Sequence, residues 1–132
     1  MTYPEPGGPT KESFISQVQD KIGVQTREEA ERVARATLRT LAEQVSSGEM
    51  GKLASALPPE LRDELAGVRG QAQSFGKDTF LDTITGQIDT VSLDTAEHHV
   101  RGVLRVVRAW TPDEDVETAR EQLPPGISEL FA

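Results

Sequence analysis

The chain has 132 residues, of which 36% are hydrophobic and 27% charged, and 22 acidic against 14 basic side chains give a formal net charge of −8. That length suits one domain with a core large enough to need no covalent staple. The absence of cysteine excludes disulfides, thiol catalysis and cysteine-ligated metals. The acidic balance argues against non-specific nucleic-acid binding, which needs Lys and Arg against phosphates. No run approaches the roughly 18–20 apolar residues of a membrane helix. No basic start followed by an apolar stretch marks a secretory leader. A cytoplasmic chain without a membrane or nucleic-acid partner is therefore expected.

Residues 1–10, MTYPEPGGPT, are rich in proline and glycine and read as a flexible tail. Next, Phe14, Ile15, Val18 and Ile22 recur at helical spacing and Gly23 stops that helix. Thr26 with Glu29 forms a capping-box pattern before a long stripe of Ala30, Val33, Ala34, Thr37, Leu38, Leu41 and Val45. Ser46 with Glu49 repeats the pattern ahead of Met50, Leu53, Ala54 and Leu57. Pro58 ends that helix, and Pro59 opens a short one with Leu61 and Leu65 inward. A glycine-bearing linker, 67–76, follows, with helical character around Val68 to Phe75.

The same order then recurs. Phe80, Leu81, Ile84 and Ile88 form a first helix, and Ser92 caps a second whose stripe is Ala96, Val100, Val103, Leu104 and Val107. Thr111, Pro112 and Glu114 start a third, with Val116, Ala119 and Leu123 inside, and Ile127 and Phe131 close the chain. Shifting the chain by 66 residues aligns 11–66 with 77–132 without a gap, and 12 of the 56 aligned positions are identical. Among them are Lys11/Lys77, Phe14/Phe80, Glu31/Glu97, Arg35/Arg101, Arg39/Arg105 and the run Leu57-Pro58-Pro59 against Leu123-Pro124-Pro125. A period this long means two copies of one supersecondary unit. No period-two alternation or hairpin turn signals a strand.

The predicted fold is all-α: two tandem four-helix repeats, 11–66 and 77–132, packed with pseudo-two-fold symmetry into one helical bundle domain. Neither stripe is well buried within a unit of about 55 residues, so each copy is expected to cover the other.

A Phe-led first helix, a capped long helix rich in Ala, Arg and Leu, and an acidic-capped short helix ending in Leu-Pro-Pro, all duplicated, resemble the bacterial and archaeal family called domain of unknown function 2267. The resemblance covers 11–132. It implies an all-helical fold and brings no activity, cofactor or site residue with it. This chain departs from the pattern at Gly126, where a helix former is expected.

Several residues carry chemistry worth testing. His98 and His99 are the only histidines, and as neighbours on a helix they diverge. His98 has Asp94 at i−4 but no third ligand, so a boundary histidine and a surface one, rather than a metal site, are expected. Asp113, Glu114, Asp115 and Glu117 crowd four carboxylates into five positions. A calcium loop would need glycine and glutamate where Thr118 and Pro124 stand. Carboxylates there complement the helix dipole or form a docking patch for a basic protein partner. The second copy carries −6 (five basic, eleven acidic) against −2 (eight basic, ten acidic) in the first.

Glu31–Arg35 and Glu97–Arg101 are i, i+4 pairs, each worth about 0.3–0.5 kcal/mol. Flanking the stripes, they are placed to bridge the copies, or Arg35, Arg39, Arg101 and Arg105 hold an anion. Trp110 aligns with the polar Gln44, so it is either covered by the tail or linker or exposed as a partner contact. Neither a nucleophile elbow nor a phosphate-binding glycine loop is present. The expected function is an interaction or regulatory module without catalysis or cofactor. The alternative is an anion or small-molecule binder, enzymes included, using the four arginines between the repeats.

Overall fold

The structure, a computed structural model, describes residues 11–65, 76–88 and 92–131. The tail 1–10, the linker segment 67–75 with its helical stretch, and the inward side chain of Ile88 lie outside the described residues. The order is α1 (Lys11–Ile22), α2 (Arg27–Ala42), α3 (Ser47–Ala54), α4 (Pro59–Leu65), α5 (Lys77–Ile88), α6 (Leu93–Trp110), α7 (Asp113–Glu121), α8 (Pro125–Ser128) and a closing 3-10 turn (Glu129–Phe131). The described residues contain helices and no strand. The helices of the second half start 66 residues after those of the first: 11 and 77, 27 and 93, 47 and 113, 59 and 125.

Local chemistry explains most boundaries. Gly23 ends α1 at φ +75°, a left-handed conformation that costs glycine nothing, and its N–H closes on the Gln19 carbonyl at 2.9 Å. The hydroxyls of Thr26, Ser46 and Ser92 accept from the backbone N–H groups of Glu29, Glu49 and Thr95 at 3.1, 3.2 and 3.3 Å. Each satisfies one of the orphan donors of a first turn. Pro59 stands at the first position of α4, where a missing N–H costs nothing.

Three boundaries differ from the sequence reading. α2 stops at Ala42, so Val45 is buried from a turn rather than from the helical stripe. α6 runs on to Trp110, because Pro112 forces Thr111 into extended backbone (φ −112°, ψ 142°) and breaks the helix there. Pro112 is the N-cap of α7 and supplies no side-chain cap, while Thr111 turns inward, 5% exposed, with its hydroxyl unpartnered. The dipole of α7 is met instead by Asp113, Glu114 and Asp115. The last segment is the four-residue α8 followed by the 3-10 turn Glu129–Phe131, and at Gly126 within α8 a Cβ would lie 3.0 Å from the Cβ of Lys77.

The helices pack across the halves of the chain. α1 lies on both α2 and α6, and α5 on both α2 and α6. α2 touches α6, α3 touches α7, and the closing turn seats on α6. The buried apolar side chains form one cluster drawn from both halves, with Phe14, Phe80 and Phe131 fully enclosed. Each such phenylalanine contributes about 1.5–3 kcal/mol of burial free energy.

α1 approaches α6 tightly at Gly102. A methyl group there would run into Cγ2 of Ile22. Gly86 in α5 is the opposite case, since a Cβ would meet nothing within 4 Å. Gly86→Ala should therefore raise unfolding free energy by about 0.5–1 kcal/mol through helix propensity. Gly102→Leu should lower it by about 1–3 kcal/mol through overpacking. Urea midpoints of the two variants check this: a Gly102→Leu protein as stable as the parent would mean that α1 does not press on α6.

Candidate functional site

His98, Arg101, buried Gly102 and Arg105 are spaced i, i+3, i+4, i+7 along α6 and so share one face. The last turn of α1 brings Lys21 opposite them. These five residues line a pocket of about 100 Å³ beside the point where Ile22 of α1 abuts Gly102 of α6. No acidic side chain is among the lining residues.

The cations there are not equivalent. Arg101 is fixed: its Nε and Nη2 donate to Glu97 at 3.0 and 2.9 Å, and its Nη1 donates to the Glu129 carbonyl at 3.2 Å. Lys21 and Arg105 are exposed and have no ion-pair partner among the described residues. Arg35 and Arg39 sit on α2 and do not line this pocket. Of the four arginines singled out in the sequence, the structure brings Arg101 and Arg105 together with a residue the sequence reading passed over, Lys21. The overlooked signal was a missing one. Arg35 and Arg101 each have a glutamate at i−4, whereas neither Lys21 nor Arg105 has a carboxylate three or four residues away in either direction.

The glutamates form matching triads within each half and do not bridge the halves. Glu31 accepts from Lys11 at 3.0 Å and Arg35 at 2.6 Å, and Glu97 from Lys77 at 3.1 Å and Arg101 at 2.9 Å. Each triad ties the first helix of its half to the second. Further arginines clasp the end of the chain. Arg108 donates to the Phe131 carbonyl at 3.0 Å and Arg120 to the Ser128 hydroxyl at 3.1 Å, and both reach Glu117.

Trp110 is half-buried, and among the described residues α1 covers it. Its ring meets Phe14 edge-on with centroids 5.2 Å apart, and its Nε1 donates to the Gln17 side chain at 2.9 Å. Asp113 and Glu114 are exposed and Asp115 partly so, and none of the three has an ion-pair partner among the described residues. His98 is exposed, whereas His99 is half-buried with its Nδ1 enclosed and unpartnered. Among the described residues, no three His, Asp or Glu side chains group around a common point as metal ligands would. No helix among them is long and apolar enough to cross a membrane.

The family model described as "Uncharacterized conserved protein (DUF2267)" matches residues 11–130. The chain belongs to the DUF2267 family. No curated protein matches it. The matched span takes in α1 to α8, and with them Lys21, the α6 face and both glutamate triads of this DUF2267 chain.

Among the described residues, His99, Glu31 and Glu97 titrate away from their ordinary values. Burial pushes His99 below 6.5, the charge of His98 adds to this, and Glu29 opposes both. For Glu31, burial works against the charged form, but hydrogen bonds and charge from Lys11 and Arg35 outweigh it and hold the carboxyl below 4.5. For Glu97, the hydrogen bond from Lys77 leads, burial opposes, and Arg101 completes a net lowering from 4.5. All three are depressed on folding, so the unfolded chain takes up protons first as pH falls. His99 contributes full stability above 6.5 and loses it as pH drops through its folded value. The glutamates repeat this from 4.5 downward. Urea unfolding at about pH 8, 5.5 and 4 should thus show two successive declines. His99→Val, which installs the residue found at the aligned Val33, should abolish the first and keep the second; an unaltered first decline would refute the assignment.

Proposed function

We propose that this DUF2267 chain is a cytoplasmic interaction or regulatory module without catalysis or cofactor, which docks a basic protein partner on the acidic first turn of α7 beside Trp110. The observation that carries this reading is the contrast in how charge is used. Lys77, Glu97, Arg101, Arg108, Glu117 and Arg120 are consumed by pairs within the fold. Asp113, Glu114 and Asp115 face outward with no such partner among the described residues. Trp110 beside them is pinned by Phe14 and Gln17, so its exposed part is already ordered, and an ordered aromatic costs little entropy on contact. Capture from native lysate tests the reading. The parent protein should retain a basic protein that the Asp113→Lys/Glu114→Lys variant loses; equal retention by both would sink the acidic-face assignment.

The same proposal makes 11–132 one cooperative domain of two copies related by an approximate two-fold axis. Its support is the reciprocity of the packing. Exchanging the copies turns α1 on α6 into α5 on α2, α1 on α2 into α5 on α6, and α4 on α2 into the closing turn on α6. Deleting residues 127–132 removes Ile127, Leu130 and Phe131, all fully buried. Loss of a core phenylalanine alone costs about 3–5 kcal/mol. Amide exchange should quicken in 26–57 as well as in 92–123; full protection retained by 26–57 would mean two separate domains.

A further inference from the structure

We infer that the α1–α6 pocket is a recognition site for a phosphate group, with Lys21, His98 and Arg105 as its donors and Arg101 as its fixed wall. The inference stands apart from the acidic face of α7, since it involves other residues, another helix pair and a ligand of opposite charge.

Four cations that border the first two helices of each half, Lys11, Arg35, Lys77 and Arg101, are neutralised by Glu31 or Glu97. Lys21 and Arg105 have no ion-pair partner among the described residues, and they line the same pocket from different helices with no acidic residue in its lining. Two like charges converging raise the free energy of the folded chain unless an anion screens them. Glu97 neutralises Arg101, which leaves Lys21 and Arg105 as the uncompensated charges of the lining, and charges beyond about 8 Å are screened at physiological salt.

Geometry supplies the rest. Gly102 lets α1 close on α6 and so brings Lys21 up to the α6 face; its missing side chain also forms the floor of the pocket. Arg101 cannot swing away, because Glu97 and the Glu129 carbonyl hold its guanidinium. At about 100 Å³ the pocket is well below the roughly 300–1,000 Å³ of sites that enclose a whole metabolite. It suits one compact oxyanion, free or at the end of a larger molecule that stays in solvent. A phosphate offers about two negative charges and three acceptor oxygens pointing in different directions. The donors match: an ammonium from α1, a guanidinium fork and an imidazole N–H from α6.

Amide NMR titration of the full chain tests the site, with inorganic phosphate and glycerol 3-phosphate as probes and sodium chloride at matched ionic strength as control. Saturable shifts are expected in the last turn of α1 and over 98–105, with tighter binding of glycerol 3-phosphate if an ester is the ligand and equal binding if free phosphate is. Lys21→Gln/Arg105→Gln removes two exposed side chains without partners among the described residues, so it should fold normally and bind at least about tenfold more weakly. Shifts that never saturate, that appear equally with chloride, that map elsewhere, or that survive in the double variant would each overturn the inference. So would malonate binding as tightly as phosphate. Arg35→Gln, outside the pocket, should leave the titration unchanged.

Discussion

The contact on which this fold turns is that of Ile22 with Gly102. α1 belongs to the first half of the chain and α6 to the second, and they meet so closely that a single methyl on α6 has no room. Close approach of two helices buries their flanking apolar side chains, here Phe14, Ile15 and Val18 on α1 with Val103 and Val106 among the buried residues of α6. It also moves whatever polar residues border the seam into one place. The cationic pocket is therefore a by-product of core packing: the same glycine that lets the core close draws Lys21 up to Arg105.

Three arginines of the second half hold backbone or side-chain oxygens near its closing segment. Arg101, Arg108 and Arg120 fasten the last residues of the chain through the Glu129 and Phe131 carbonyls and the Ser128 hydroxyl. Carbonyls at the end of a helix have no partner in the helix itself, and a guanidinium is well placed to satisfy them. These bonds keep Leu130 and Phe131 seated in the core although the segment that carries them is only a short helix and a 3-10 turn. Arg101 thus serves the fold, and only by also walling the pocket does it serve binding. Arg105, one turn further on, has no such structural duty among the described residues. An exposed charge with no structural duty is free to meet a ligand.

Much of the fold was legible in the sequence, and for a definable reason. Helix starts were signalled by Thr26, Ser46 and Ser92, because N-capping is a local interaction completed within three residues. The stop at Gly23 was equally local, as was the opening of α4 at Pro59. The inward faces followed from the 3.6-residue period, which links sequence spacing to burial wherever a helix has one wet side. The boundaries that went astray are those where a non-local or competing constraint rules. Thr111 is drawn into extended backbone by Pro112 and turned inward, so a good capping residue caps nothing.

By itself, the sequence determined the helical class, the inward faces, the paired glutamates and arginines within each long helix, and the family to which the chain belongs. Each of these depends on residues a few positions apart or on a pattern repeated along the chain. Only the tertiary structure decided that Trp110 rests on Phe14 and Gln17, that Glu31 and Glu97 also hold Lys11 and Lys77 of the preceding helix, and that Lys21 shares a pocket with Arg105. Lys21 and Arg105 stand 84 positions apart in the sequence. Their meeting depends on which apolar stripe covers which, and on how closely two helices can approach, and neither quantity is written in the spacing of either one.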